Sequence, residues 1–352
     1  MSGTSMDGAD AVIADLGGPR PRVLAHSHVA FDRSLRAELL ALNAPGDNEL
    51  ERAALAGNAL ARHYAQAIDA LNLPAHGTVR AIGCHGQTIR HRPEKGYTLQ
   101  IGNAALLAEL TGLAVVADFR SRDVAAGGQG APLAPAFHAA MFSSAEEDRV
   151  VLNLGGFANI TWLPRTGAVV GFDTGPANCL MDLWAARHLG TTHDEGGAWA
   201  EGGAIDSGLL ERFLKDPYFT APPPKSTGRD LFNSAWLDAR LKGGEDPRAV
   251  QATLLELTAR SIAGGIALTL ASPRRVITCG GGARNTSLCR RLAELLGPAA
   301  VEGSDQHGIA PDRVEATAFA WLAQQAMEGK AGNLPAVTGA RGERVLGTIY
   351  PG

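Results

Sequence analysis

The chain carries the same kind of turn twice, and that repetition limits its architecture more than any other feature. Ser2-Gly3-Thr4-Ser5-Met6-Asp7-Gly8 and Asn153-Leu154-Gly155-Gly156-Phe157-Ala158-Asn159 each lie close to the first strand of a series in which short apolar runs alternate with longer helical ones. In the first series, 11–14, 23–25, 79–83, 97–102 and 114–119 read as strands, while 35–42 and 50–71 read as helices and Asn103 is placed to cap another running to Leu110. In the second, strands fall at 149–153, 159–163, 169–172 and 275–279, with helices over 176–188, 249–271, 285–296 and 313–327. The class is α/β. At 352 residues the chain suits about two domains, expected as 1–125 and 126–352, with a last strand or tail that can return to the first.

Composition narrows the partners. Thirty-two Lys+Arg against 36 Asp+Glu leave a formal charge of −4, which gives no electrostatic footprint for nucleic acid. No run approaches the ~18 apolar residues of a membrane span, and the N-terminus has neither the basic nor the apolar region of a signal peptide. Cys84, Cys179, Cys279 and Cys289 are scattered without a C-x-x-C pair, so a reducing cytoplasm is the expected location.

The two turns suit polyphosphate. Small residues permit positive φ and let consecutive backbone N–H groups and hydroxyls face anionic oxygens, although either turn alone is equally an ordinary hairpin connection. Cys279-Gly280-Gly281-Gly282-Ala283-Arg284-Asn285 follows an apolar strand and precedes a helix, where a flat ligand could pack on bare backbone and Arg284 and Asn285 reach its edges. It is neither a P-loop nor a G-x-G-x-x-G fingerprint, and a plain flexible connection is the alternative. In Gly171-Phe172-Asp173-Thr174-Gly175-Pro176, Asp173 is expected to end a strand, with Pro176 in the first turn of the next helix. A carboxylate there can accept a proton from water or a hydroxyl; capping the helix is the competing role. Gln87, Thr88, Asp118 and Arg120 form a set able to bond sugar hydroxyls and grip a carboxylate, although each taken singly reads first as a loop or buried-network residue. His85 with Asp118 suggests a hydrolase dyad only weakly, since no G-x-S-x-G elbow accompanies it. Glu315 is a carboxylate among small and apolar neighbours on a helix, either supporting a site or solvated. Residues 221–230, with three prolines, read as a semi-rigid surface loop in which Lys225, Ser226 and Arg229 are candidate phosphate contacts.

In order and spacing, Ser2–Gly8, Gly83-Cys84-His85-Gly86-Gln87-Thr88, Gln129-Gly130-Ala131-Pro132-Leu133, Asn153–Gly156, Phe172–Pro176 and Cys279–Gly282 closely resemble the anhydro-N-acetylmuramic acid kinases of bacterial peptidoglycan recycling, over essentially the whole chain. The resemblance implies two duplicated actin-like (ribonuclease H-like) domains closing over a nucleotide. It implies ATP and Mg²⁺ as cofactors, an amino sugar as the small-molecule partner, and no nucleic acid or membrane. The family is commonly dimeric, which leaves a homodimer open here.

The implied reaction couples hydrolytic opening of the 1,6-anhydro ring to phosphorylation, giving N-acetylmuramic acid 6-phosphate and ADP. In the family's pattern Asp173 is the general base, and Glu315 matches a supporting carboxylate. Gly3, Thr4, Ser5, Met6, Asp7, Gly8, Ala9, Asp10, Asn153, Gly155, Gly156, Gly280, Gly281 and Gly282 are the expected nucleotide contacts; the side chain that orients Mg²⁺ is left open. Two departures stand out. Family members usually carry a short apolar strand before the first turn; either the true start lies further upstream, or the turn lacks that strand and folding and ATP binding are expected to weaken, and Met6 replaces a frequent Leu, a volume-conserving change. The alternatives are a sugar kinase acting on an ordinary hydroxyl and a nucleotide-driven conformational switch with no small-molecule acceptor.

Overall fold

The computed structural model describes residues 1–3, 6–18, 21–269 and 272–352. The chain divides into two units, Met1–Met141 with Arg313–Gly352, and Phe142–Asp312.

The first unit opens with a hairpin of β1 (Gly8–Asp15) and β2 (Arg22–Ala30). The helices Arg33–Ala41 and Glu49–Asp69 follow. They bury Leu35, Leu39, Leu60, Tyr64 and Ile68 in one core with Ala9 and Met6. β3 (Ile82–Gly83) is shorter than the 79–83 expected, because it is a strand only where β6 (Val115–Ala117) runs parallel beside it. Between them β4 (Gln87–Arg92) and β5 (Tyr97–Ile101) form a separate hairpin. Asn103 caps the helix Ala104–Thr111 as its sequence position predicts, accepting from the Leu106 amide at 2.9 Å.

The second unit holds one five-stranded sheet. β7 (Arg149–Leu154), β8 (Phe157–Leu163) and β9 (Val170–Pro176) form an antiparallel meander; β10 (Arg275–Cys279) lies parallel to β7, and β11 (Ala300–Gly303) parallel to β10. The central strand is covered on both faces, with Val150, Val151, Leu152 and Leu154 fully buried. The helix Pro247–Leu268 packs against β9 and the helix Thr286–Leu296. Asp246 caps it and Pro247 occupies its first turn, where a missing N–H costs nothing. Leu254, Leu257, Ile262 and Ile266 on this helix are buried, each worth about 1.5–3 kcal/mol over exposure.

The chain then returns to the first unit with the helix Val314–Met327 and β12 (Thr348–Tyr350), which pairs antiparallel with β6. Here the two units differ. In the second, β7 joins the hairpin β8–β9 to the parallel pair β10–β11; in the first, no strand among the described residues joins β1–β2 to β3–β6. Among the described residues Met1 alone exchanges two backbone hydrogen bonds with Asp10 on the side of β1 away from β2.

Candidate active site

Register places a polar row across the end of the second unit's sheet. Cys279 pairs with Asn153, Asn153 with Asn159, and Asn159 with Asp173. Residues directly opposite one another share a face, so Asn153 and Asp173 stand on one face two strand spacings, about 10 Å, apart. A bulge follows: Ala158 pairs with Gly175 and Asn159 with Asp173, which leaves Thr174 as the extra residue. Bulges of this kind re-aim neighbouring side chains.

The Gly155-Gly156 turn joins β7 to β8. Its carbonyls face the helix Asn178–Leu189, Gly156 accepting from the Ala177 and Cys179 amides and Gly155 from the amide and side chain of Asn178. In a trans peptide C=O and N–H point oppositely, so the Gly156 amide is directed away from that helix, as a phosphate-holding turn requires. Gly280, at φ +79°, approaches so closely that an added Cβ would lie 2.5 Å from Asn153 Oδ1; at Gly282 it would lie 2.8 Å from the side chains of Asn178 and Leu154. Asn153, Gly155, Gly156, Gly280 and Gly282 therefore gather with Asn178 at the carboxyl ends of parallel β7 and β10, the usual crevice of such sheets. Gly281 has open space around it. Arg284 instead pairs with Asp312, and Asn285 caps the helix Thr286–Leu296.

Two local expectations are corrected. Pro176 does not start a helix; it ends β9 opposite Phe157, because the ladder to β8 runs through it, and the helix begins at Asn178. The first donors of that helix are taken by the glycine turn, so they are not left for an anion. Asp173 therefore lies within β9 and does not cap the helix. Its amide donates to the Lys225 carbonyl at 3.1 Å, its carbonyl accepts from Tyr218 Oη at 2.7 Å, and its Oδ2 accepts from the Thr227 amide at 3.0 Å. Among the described residues Oδ1 has no protein donor. Burial pushes the Asp173 pKa up to about 6, against the opposing pull of the Thr227 N–H. Lys225 is not a free phosphate contact. Its ammonium donates to the Tyr218 and Phe219 carbonyls at 3.0 and 3.4 Å and lies over the Tyr218 ring.

The first unit collects its own polar group. Arg120 donates from Nε and Nη2 to His85 Nε2 at 3.1 and 3.0 Å, and from Nη1 to the Gly130 carbonyl at 2.8 Å. Burial, then the Arg120 charge, holds His85 well below the usual histidine range, so its ring is neutral and Nε2 accepts. Glu315, in the first turn of its helix, is exposed by surface area, yet the protein around it raises its pKa, while the Arg120 charge and the Met1 ammonium oppose the rise. Asp123 is fully buried and accepts from the Gly130 amide, Asn333 and Thr338, fixing the loop that Arg120 grips.

Gln87 is buried in β4 and Thr88 follows it, accepting from Gln100 Nε2 at 3.2 Å; both are strand residues, not loop ones. Asp118 adopts φ +57° and accepts from the Ser121 amide. Gly8, Ala9 and Asp10 open β1, with Ala9 in the core and Asp10 accepting from His26 and His28. Met6 is buried at φ +51°, its amide donating to the Gly3 carbonyl at 3.3 Å, and the Asp7 carbonyl accepts from Phe31. Thr4 and Ser5 lie outside the described residues. Among the described residues no group of three His, Cys, Asp or Glu is placed to hold a metal ion, and no helix is long and apolar enough to cross a membrane.

The family model described as anhydro-N-acetylmuramic acid kinase matches residues 1–352. The anhydro-N-acetylmuramic acid kinase of Cupriavidus pinatubonensis is 56% identical over 364 residues, covering 100% of this chain and 97% of that one. That of Nitrosomonas europaea is 52% identical over 356 residues, covering 100% and 98%. The chain belongs to the anhydro-N-acetylmuramic acid kinase family. It is thus a kinase, a phosphotransferase with an alcohol-group acceptor. Among solved structures, a ROK family glucokinase from Streptomyces griseus in complex with glucose and AMPPNP bears a distant likeness: 15% identity, a TM-score of 0.38, and coverage of 90% of this chain and 100% of that one.

For this kinase, sequence reasoning missed Asn159, Asn178 and Tyr218 as site residues, and read 221–227 as a surface loop with phosphate contacts where it meets Asp173. The two asparagines stand inside the glycine motifs, but only the observed register, with its bulge at Thr174, places Asn159 opposite both Asn153 and Asp173. Nothing local marks Tyr218 or Thr227, which meet Asp173 from 45 and 54 residues away.

Proposed function

We propose that this chain uses ATP and water to convert 1,6-anhydro-N-acetylmuramic acid into N-acetylmuramic acid 6-phosphate and ADP, in cytoplasmic peptidoglycan recycling and amino sugar metabolism. One observation supports this best: Asp173 has one carboxylate oxygen held by an amide and the other without a donor among the described residues, with burial pushing its pKa up to about 6. Such a group is mostly ionised at neutral pH and basic enough to take a proton. Asp173 removes a proton from water as the water oxygen bonds to C1. The C1–O6 bond breaks, O6 takes its electron pair to the γ-phosphorus, and ADP leaves. The proton on Asp173 then passes to solvent.

The remaining assignments extend that reading. The glycine turns at Gly3–Asp10 and Asn153–Gly156, with Gly280–Gly282, serve the nucleotide. Gln87, Thr88, Asp118 and Arg120 serve the sugar, with Glu315 in support. The chain's own residues do not form a metal cage among those described, so Mg²⁺ would be held mainly by nucleotide phosphates and water. A homodimer is the assembly the resemblance implies. Turnover in ¹⁸O-labelled water tests the reaction: label at C1 of the product is expected. A phosphorylated sugar that keeps its anhydro ring, or an ATPase indifferent to the sugar, would sink it.

A further inference from the structure

We infer that the segment Tyr218–Thr227 is a strap that positions Asp173, and that Tyr218 and Lys225 are positioning residues for the phosphotransferase reaction. This rests on the reading of Asp173 as base. Three contacts carry it. Within ten residues of chain, the strap supplies the donor to the Asp173 carbonyl, the acceptor for its amide and the donor to its Oδ2. The backbone and the carboxylate are thus held by one piece of chain, at a bulge that has already loosened β9 from β8.

The strap is itself closed and anchored. The Lys225 ammonium donates to the Tyr218 and Phe219 carbonyls, tying the segment's far end back to its near end, and it sits 4.7 Å from the centre of the Tyr218 ring. Phe219 and Tyr218 pack on Phe232, which packs on Trp236. Asp216 accepts from the Tyr218 amide, Trp236 Nε1 and Arg240 Nη2. Of the strap's titratable groups Tyr218 faces Asp173, whereas the Lys225 ammonium is turned to the Tyr218 and Phe219 carbonyls, and the helix Pro247–Leu268 brings the uncharged Ser261 against Gly175. No ion pair competes with the amide for the carboxylate among the described residues. An error of an ångström in a general base is costly, and this segment removes that freedom without a charged partner that would depress the pKa.

The test uses the full chain with Tyr218→Phe, Lys225→Met and Asp173→Asn, measuring kcat, KM for ATP and thermal midpoint. Tyr218→Phe keeps the ring and its packing and deletes only the hydroxyl that reaches Asp173. The expected result is a fall in kcat of tenfold or more in both strap variants, with KM for ATP within twofold. A purely structural role would lower the melting temperature and leave the kcat of the folded fraction alone. Should Lys225→Met fail to fold, Tyr218→Phe decides by itself. Wild-type kcat in folded strap variants beside an inactive Asp173→Asn overturns the strap and leaves the base assignment standing. An active Asp173→Asn overturns the base assignment and the strap's role with it.

Discussion

Asp173 shows how one side chain can be read by two independent measurements. Its folded pKa is about 6 against an ordinary 3.8, so the base is available only as pH rises through 6. The kcat/KM profile is expected to fall about tenfold per unit below that point; an acid limb centred near pH 4 would mean that another group sets it. The same shift has a stability cost of opposite sign. The folded state favours the neutral acid, so stability is fully present below pH 3.8 and declines as pH rises through 6. Asn cannot ionise and still accepts from the Thr227 amide. Asp173→Asn should therefore raise the unfolding free energy by about 1–3 kcal/mol at pH 8 and leave it unchanged near pH 3. Urea unfolding at the two pH values checks this, and an equal effect at both would refute the burial of the charge.

Among elements, those whose signals are local were legible and those built by distant partners were not. Asn103 caps its helix through a donor three residues on, and the glycine turns announced the ends of β7 and β10. β4, written Gln-Thr-Ile-Arg-His-Arg, has little strand character of its own and exists by pairing with β5. Residues 79–81 look more like a strand and have no ladder partner among the described residues. Pro176 was misread because proline is welcome both at a helix start and at a strand end, and only the register with Phe157 decides. Most of the Asp173 strap escaped for the same reason. Its stability can be tested at Asp216, which is nearly buried and satisfies Trp236, Arg240 and the Tyr218 amide. Asp216→Ala leaves the Arg240 charge and an indole N–H uncompensated and is expected to cost about 3–5 kcal/mol in denaturant unfolding. A loss under 1 kcal/mol would show that solvent replaces the carboxylate.

Over the whole molecule, two units with a shared plan of strands and helices differ in how their sheets are joined. Asp10 donates its amide to Met1, so by strand alternation the Val12 amide points to the same side of β1, where no strand among the described residues receives it. In β7 both sides are paired. Hydrogen exchange at Val12 should run at least about a hundredfold faster than at Val151; equal protection would mean that this edge of β1 is covered. The repetition of strands, turns and helices was readable from the sequence. The interrupted sheet was foreshadowed only by the resemblance, in which a short apolar strand usually precedes the first turn, since a gap between strands leaves no mark in the residues that flank it.

Because residues 313–352 belong with the opening part of the chain, order of synthesis and order of completion are reversed. As the polypeptide emerges, everything the later-made unit needs is present once Asp312 has been added. The earlier-made one must wait, with its grip on Asp123 unfilled, until Asn333 and Thr338 arrive. A ribosome that stops early thus releases a protein finished in its middle and unfinished at its beginning.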